Sequence, residues 1–105
     1  MKPEPIVFAL ANPVPEIMPD LAKQLGVKII ATGRADYPNQ VNNVLAFPGI
    51  LKAAMDKKSQ INNKMLISAA QGLAACVENP CFEKIIPMAF DDGVFDSVYQ
   101  AIMQN

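Results

Sequence analysis

Two short apolar runs, Ile6-Val7-Phe8-Ala9-Leu10-Ala11 and Val27-Lys28-Ile29-Ile30-Ala31, stand one short helix apart. They constrain the fold of this chain more than any other feature. The first run has no apolar–polar alternation and is bounded by prolines, which predicts a strand buried on both faces, as in a parallel sheet. Asn12-Pro13 ends it, because a residue before proline is pushed to extended geometry. Residues 16–25 predict a short helix with Ile17, Leu21, Ala22 and Leu25 on one face, stopped by Gly26. Strand, helix and strand make a βαβ unit with parallel strands and a right-handed crossover. Two strands are too few, however. A sheet needs about three, or packing on both faces, to stand alone, and its free edges are templates for further strands. The chain is therefore expected to be cut from a larger Rossmann-type sheet or to pair its strands with a second copy.

Beyond residue 43 a helical period takes over. Residues 44–55 predict one helix, in which Pro48 is tolerable only in the first turn or at a kink. Asn62 is the candidate N-cap of a helix reaching residue 78, with Met65, Leu66, Ala69, Ala70, Leu73, Ala74 and Val77 on its buried face. Asn79-Pro80 breaks it, and Asp91 or Asp92 is expected to cap a last helix carrying Val94, Phe95, Val98, Ala101 and Ile102. The fold class is thus α/β, a partial Rossmann-like βαβ unit followed by C-terminal helices. At 105 residues it is one domain or part of one.

Hydrophobic residues make up 51% of the chain and charged residues 18%, more apolar than an ordinary soluble domain. The excess points to surface meant for a partner or for further chain. A net charge of −1 without a basic cluster argues against nucleic acid or an anionic membrane as partner. No apolar run approaches the ~20 residues of a membrane span. Met1-Lys2-Pro3-Glu4-Pro5 lacks a signal-peptide layout, so a cytoplasmic location is expected. Cys76 and Cys81 are not spaced as CxxC and the chain has no histidine, so both read as reduced thiols rather than metal ligands. Without histidine, no Ser-His or Cys-His nucleophile can be built. The adjacent Asp91 and Asp92 diverge in a helix cap, and the six methionines read as core filler.

Chemistry is expected after the strands. In open α/β sheets ligands bind outside the carboxyl ends of the strands. Asn12 ends the first, and the loop Thr32-Gly33-Arg34-Ala35-Asp36-Tyr37-Pro38-Asn39-Gln40-Val41-Asn42-Asn43 follows the second. A carboxamide offers two donors and an acceptor without charge. It can hold a carboxylate, a hydroxyl or another amide without burying an unpaired ion. Pro13 and Pro15 stiffen the backbone around Asn12. A plainer reading stands beside this one: Asn-Pro opens turns, and Asn42-Asn43 before an apolar helix is a pair of candidate N-caps. Arg34 could attract an acid, although a single exposed Arg is usually solvated.

Ala11-Asn12-Pro13-Val14-Pro15-Glu16, the Tyr37-Pro38-Asn39-Gln40-Val41-Asn42-Asn43 stretch and Phe47-Pro48-Gly49-Ile50 together resemble the distal part of the NAD(P)-binding domain of bacterial malic enzymes. Residues 61–77 and 85–102 resemble its closing helices, so the resemblance covers nearly all of 1–105. It implies a C-terminal fragment of a cytoplasmic enzyme that oxidatively decarboxylates malate to pyruvate and CO2 with NAD or NADP and Mg or Mn. It implies substrate-binding roles for Asn12 and Asn43 and cofactor-side roles for Asn12 and Asn42. The family's Lys base, Tyr acid and acidic metal ligands have no matching positions here; Tyr37 and Tyr99 do not fill them. The chain also lacks the Gly-x-Gly-x-x-Gly pyrophosphate cradle. No residue is therefore assigned a catalytic or metal-binding role, and the chain alone is expected to be inactive and to bind no cofactor tightly. The alternative is a non-catalytic module that keeps this fold remnant and forms a homodimer through a strand edge or apolar surface.

Overall fold

The computed structural model describes residues 3–88 and 91–104. Met1-Lys2 and the 89–90 stretch of the region likened to the closing helices lie outside them. The described elements run β1 (Ile6–Ala9), α1 (Pro19–Gln24), β2 (Ile29–Thr32), a 3-10 turn (Asn43–Leu45), α2 (Phe47–Lys57), α3 (Asn63–Ala75) and α4 (Val94–Met103). β1 and β2 pair in parallel, Ile6 opposite Ile29 and Ala9 opposite Thr32. The mixed α/β class, two parallel strands followed by helices, is therefore as the two apolar runs predict.

β2 is buried on both faces, Ile30 and Thr32 on one and Ala31 on the other, but β1 is not. Along β1, Val7 is half-buried and Ala9 buried, whereas Ile6 and Phe8 are 61% and 49% exposed. On the face toward α1, Ala9, Val27 and Ile30 pack with Ala22, with Val7 and Ile17 at the margin. α1 is also shorter than the expected 16–25. Pro19 sits in its first turn, and Met18 before it is extended, with ψ 144°, as a residue preceding proline prefers. Six residues give a narrow buried stripe, so Ala22 is covered while Leu21 and Leu25 face outward.

The helical half has its own core, built of Ile50, Ala53 and Ala54 from α2, Met65 and Ala69 from α3, and Val98 and Ile102 from α4. The 3-10 turn precedes α2, which places Pro48 in the first turn of the α-helix, where its missing N–H is harmless. Asn62 caps α3 as expected, its Oδ1 accepting from the Met65 N–H at 2.9 Å. The buried face of α3 differs from the expected one: it is Met65, Ser68, Ala69 and Gly72, while Leu66, Ala70 and Ala74 lie outside. The reason is proximity to α4. A Cβ on Gly72 would stand 2.7 Å from the Ser97 carbonyl oxygen and 3.0 Å from the Ala101 Cβ, so this approach selects small side chains over large ones. α3 ends at Ala75 rather than residue 78.

α4 is capped by Gly93, at φ 84°, and by neither Asp91 nor Asp92. The Asp91 carboxylate instead accepts from the Met88 N–H at 3.0 Å and pairs with Lys84 at 3.4 Å. The Met88 N–H, ahead of Lys84, holds the Asp91 carboxyl below its usual range.

The two cores leave the molecule long, 47 × 29 × 26 Å. Its radius of gyration is 15.0 Å, against roughly 13 Å for a compact domain of this length. Its accessible surface is 7046 Å², against roughly 5,800 Å² for a compact monomer of this mass. Among the described residues no helix is long and apolar enough to cross a membrane.

Candidate functional site

Both candidate segments emerge at the carboxyl ends of the parallel pair. Asn12 lies in an exposed turn closed by the Ala11 N–H, which donates to the Glu16 carboxylate at 2.9 Å. That donor holds the Glu16 carboxyl below its ordinary value. The Asn12–Pro13 peptide is cis. The Asn12 carboxamide reaches the other segment: a Cβ on Gly33 would lie 2.8 Å from Asn12 Oδ1. The Asn12 carboxamide thus lies against Gly33, and a side chain at position 33 would displace it.

That loop closes on the end of β2. The Val41 N–H donates to the Thr32 carbonyl at 2.7 Å, and Thr32 bridges Gln40 in parallel fashion. The Gln40 side-chain amide donates to the Gly33 carbonyl at 3.4 Å. Thr32 is fully buried, and its hydroxyl accepts from the Arg34 N–H at 3.1 Å. Thr32 therefore carries both ends of the loop, with Asn12 against Gly33 at one end and Asn42 and Asn43 just beyond the other.

Inside the loop the charges are paired off. The Arg34 guanidinium donates to both Asp36 oxygens, at 2.9 and 2.8 Å. This two-pronged pair raises the Arg34 pKa and lowers that of Asp36. Arg34 also lies 5.7 Å from the centre of the Tyr37 ring. The Tyr37 hydroxyl donates to Asp20 on α1 at 3.1 Å, which pushes its phenol above the usual value. Arg34 is thus internally neutralised and Tyr37 is an anchor, so neither is a free acid or anion-binding group.

The amides divide by role. Asn39, at φ 61°, is 7% exposed. Its Nδ2 donates to the Ile30 carbonyl at 3.2 Å and the Phe82 carbonyl at 3.0 Å, while its Oδ1 accepts from the Ile85 N–H at 2.9 Å. Nothing in the sequence reading of the loop gave Asn39 a role. The available signal was Pro38-Asn39, a turn pair whose second member favours positive φ. Asn42 is half-buried and caps the 3-10 turn, its Oδ1 accepting from the Val44 N–H at 3.0 Å. Asn43 is exposed and borders an open apolar depression of about 520 Å³ formed with Val44, Phe47, Pro48 and Leu51. The Asn12 and Asn43 carboxamides hydrogen-bond to no described residue.

These groups suit a neutral amide, a hydroxyl or a carboxylate. They do not suit a divalent metal: among the described residues no three His, Cys, Asp or Glu side chains come together. Nor do they suit a dinucleotide pyrophosphate, since none of the five glycines forms a Gly-x-Gly-x-x-Gly cradle.

Residues 1–90 match the family described as malic enzyme, NAD binding domain. The chain is 46% identical over 105 residues to the bifunctional malic/malolactic enzyme of Bacillus subtilis, covering 97% of this chain and 26% of that protein. It is 47% identical over 107 residues to the NAD-dependent malic enzyme of Geobacillus stearothermophilus, covering 99% and 22%. The NAD-dependent malic enzyme structure from Thermotoga maritima superposes with a TM-score of 0.92 at 55% identity, over 98% of this chain and 27% of that one. The Pyrococcus horikoshii malic enzyme structure gives 0.94 at 48% identity, over 99% and 24%. The chain spans about a quarter of the length of these relatives. By sequence and by fold, this chain belongs to the malic enzyme NAD-binding domain family.

Proposed function

We propose that this chain supplies part of the malate and nicotinamide pocket of an NAD(P)-dependent malic enzyme, which converts malate to pyruvate and CO2, and that alone it is catalytically silent. The observation that carries this reading is the pair of unengaged carboxamides, Asn12 and Asn43, on two segments joined through Thr32 at the carboxyl ends of the parallel strands. Asn12 and Asn43 bind the malate carboxylate and hydroxyl region. Asn12, with the amide nitrogen that Asn42 keeps free of its capping bond, faces the nicotinamide carboxamide. When bound, NAD(P) supplies the hydride acceptor. The chain's own contribution is orientation, holding malate in a near-attack pose. The metal, the base and the acid belong to parts of the enzyme that this chain does not match.

The test is to graft the chain in place of the matching 27% of the Thermotoga maritima enzyme. The graft is expected to turn over malate, and Asn43→Ala within it to lower kcat/KM by about 10- to 100-fold, the loss of one hydrogen bond to a charged group. An inactive but folded graft, or an Asn43→Ala graft of undiminished kcat/KM, overturns the pocket. Turnover by the 105-residue chain alone with malate, Mn or Mg and NAD or NADP overturns its silence. A second reading, a non-catalytic homodimer, is favoured by one observation: the surplus accessible surface exceeds the ~800 Å² per partner of a standard interface. A stable dimer showing no malate or nucleotide binding would select it.

A further inference from the structure

Asn39 has no role in the reading above, yet it is the most constrained side chain in the loop. It sits at positive φ, a conformation that asparagine tolerates and most residues avoid. Its carboxamide spends both donors and its acceptor on three backbone groups from two distant places: Ile30 in β2, and Phe82 and Ile85 in the connection between α3 and α4. Of the remaining ties of the 33–40 stretch, Arg34–Asp36, Tyr37–Asp20 and Gln40–Gly33 are exposed or lie within it, while its two ends are held to Thr32 through the Arg34 N–H and the Thr32–Gln40 bridge. We infer that Asn39 is a positioning residue, a three-point clamp that sets the path of the loop and so fixes where Asn42 and Asn43 are presented. This rests on the reading of Asn42 and Asn43 as ligand-facing groups.

The chemistry of the clamp allows it to be separated from a bulk structural role. Asn39→Gly keeps the backbone conformation and removes all three bonds. Asn39→Asp keeps the acceptor for the Ile85 N–H, but turns two donations into carboxylate–carbonyl repulsions. Protonation of that Asp restores one donor, so acid rescues it in part.

The experiment is site-resolved hydrogen exchange by NMR on the 105-residue chain, with protection factors corrected for pH. In Asn39→Gly the Val41 and Val44 amides are expected to lose at least tenfold in protection, with the Asn42 and Asn43 carboxamide signals displaced. The Gly72 and Val98 amides should stay within about twofold. In Asn39→Asp at neutral pH the Ile85 amide stays protected while Val41 loses protection, and Val41 recovers between pH 7 and pH 4. Unchanged Val41 and Val44 protection in Asn39→Gly overturns the inference. So does an even loss across α3 and α4, which marks a merely structural residue, or an Asn39→Asp chain that matches wild type at neutral pH. The ligand reading fails separately: if the Asn43→Ala graft keeps undiminished kcat/KM while the exchange pattern holds, the pocket is overturned and the clamp stands.

Discussion

The helical half and the βαβ half of this molecule distribute their apolar residues in opposite ways. Helices α2, α3 and α4 enclose their core from three sides, with Val98 and Ile102 almost wholly out of water. In the other half β2 is buried on both faces, but β1 is covered on one face only, leaving Ile6, Phe8 and Leu10 exposed. The first arrangement closes on itself; the second leaves one face of β1 to solvent. The candidate ligand residues lie where the two meet, since Asn12 belongs to the strand half and Asn43 leads into α2. A pocket placed there takes rigidity from the helices and gains access from the uncovered face of β1.

This contrast can be broken by paired substitutions. Ile102→Ala should destabilise the chain most, by about 3 kcal/mol, within the range for truncating a fully buried aliphatic residue. The urea midpoint of unfolding reads this directly. Gly72→Ala follows, at roughly 1–2 kcal/mol, because overpacking against Ser97 outweighs the gain in helix propensity. If Gly72→Ala stabilises the chain, α3 and α4 are not as close as described.

A smaller effect is expected at the outer seam of the helical half, where the Tyr99 hydroxyl donates to Asp56 and Lys52 pairs with it at 3.1 Å. Tyr99, then Lys52, holds the Asp56 carboxyl below its usual value. Its stabilising contribution is therefore present above the unfolded pKa of about 3.9, and is lost as pH falls through the lower folded value. Tyr99→Phe should move the Asp56 carboxyl titration, followed by carbon NMR, upward toward ordinary values. A titration that does not move would remove this seam from the account. Smallest of all, Ile6→Ser on the bare strand face should leave stability within about 0.5 kcal/mol. It should nevertheless reduce self-association in sedimentation runs. A large loss of stability there would mean that the strand face is covered after all.

What was legible in the sequence was local chemistry. The parallel pair follows from two short, mostly apolar runs, the Asn62 cap from its place before an apolar helix, and the position of Pro48 from its missing N–H. What was not legible depends on neighbours distant in sequence. The buried face of α3 is chosen by the close approach of α4 at Gly72, which periodicity within α3 does not encode. The same holds at the candidate site. Asn42 as a cap was one of two readings open in the sequence, and the Val44 N–H shows that its Oδ1 serves that one. The meeting of Asn12 with Gly33 and the bonds from Asn39 to Phe82 and Ile85 cross gaps of 21, 43 and 46 residues. No spacing rule reaches that far.

The elongated outline has a practical consequence for any measurement of assembly. A body 47 Å long and under 30 Å across drags more solvent than a sphere of equal mass. It leaves a gel-filtration column ahead of globular standards of its own weight. A single chain would then be mistaken for something heavier, in the direction of the dimer that one of the two readings predicts. Only a shape-independent mass, from light scattering or sedimentation equilibrium, can count the copies.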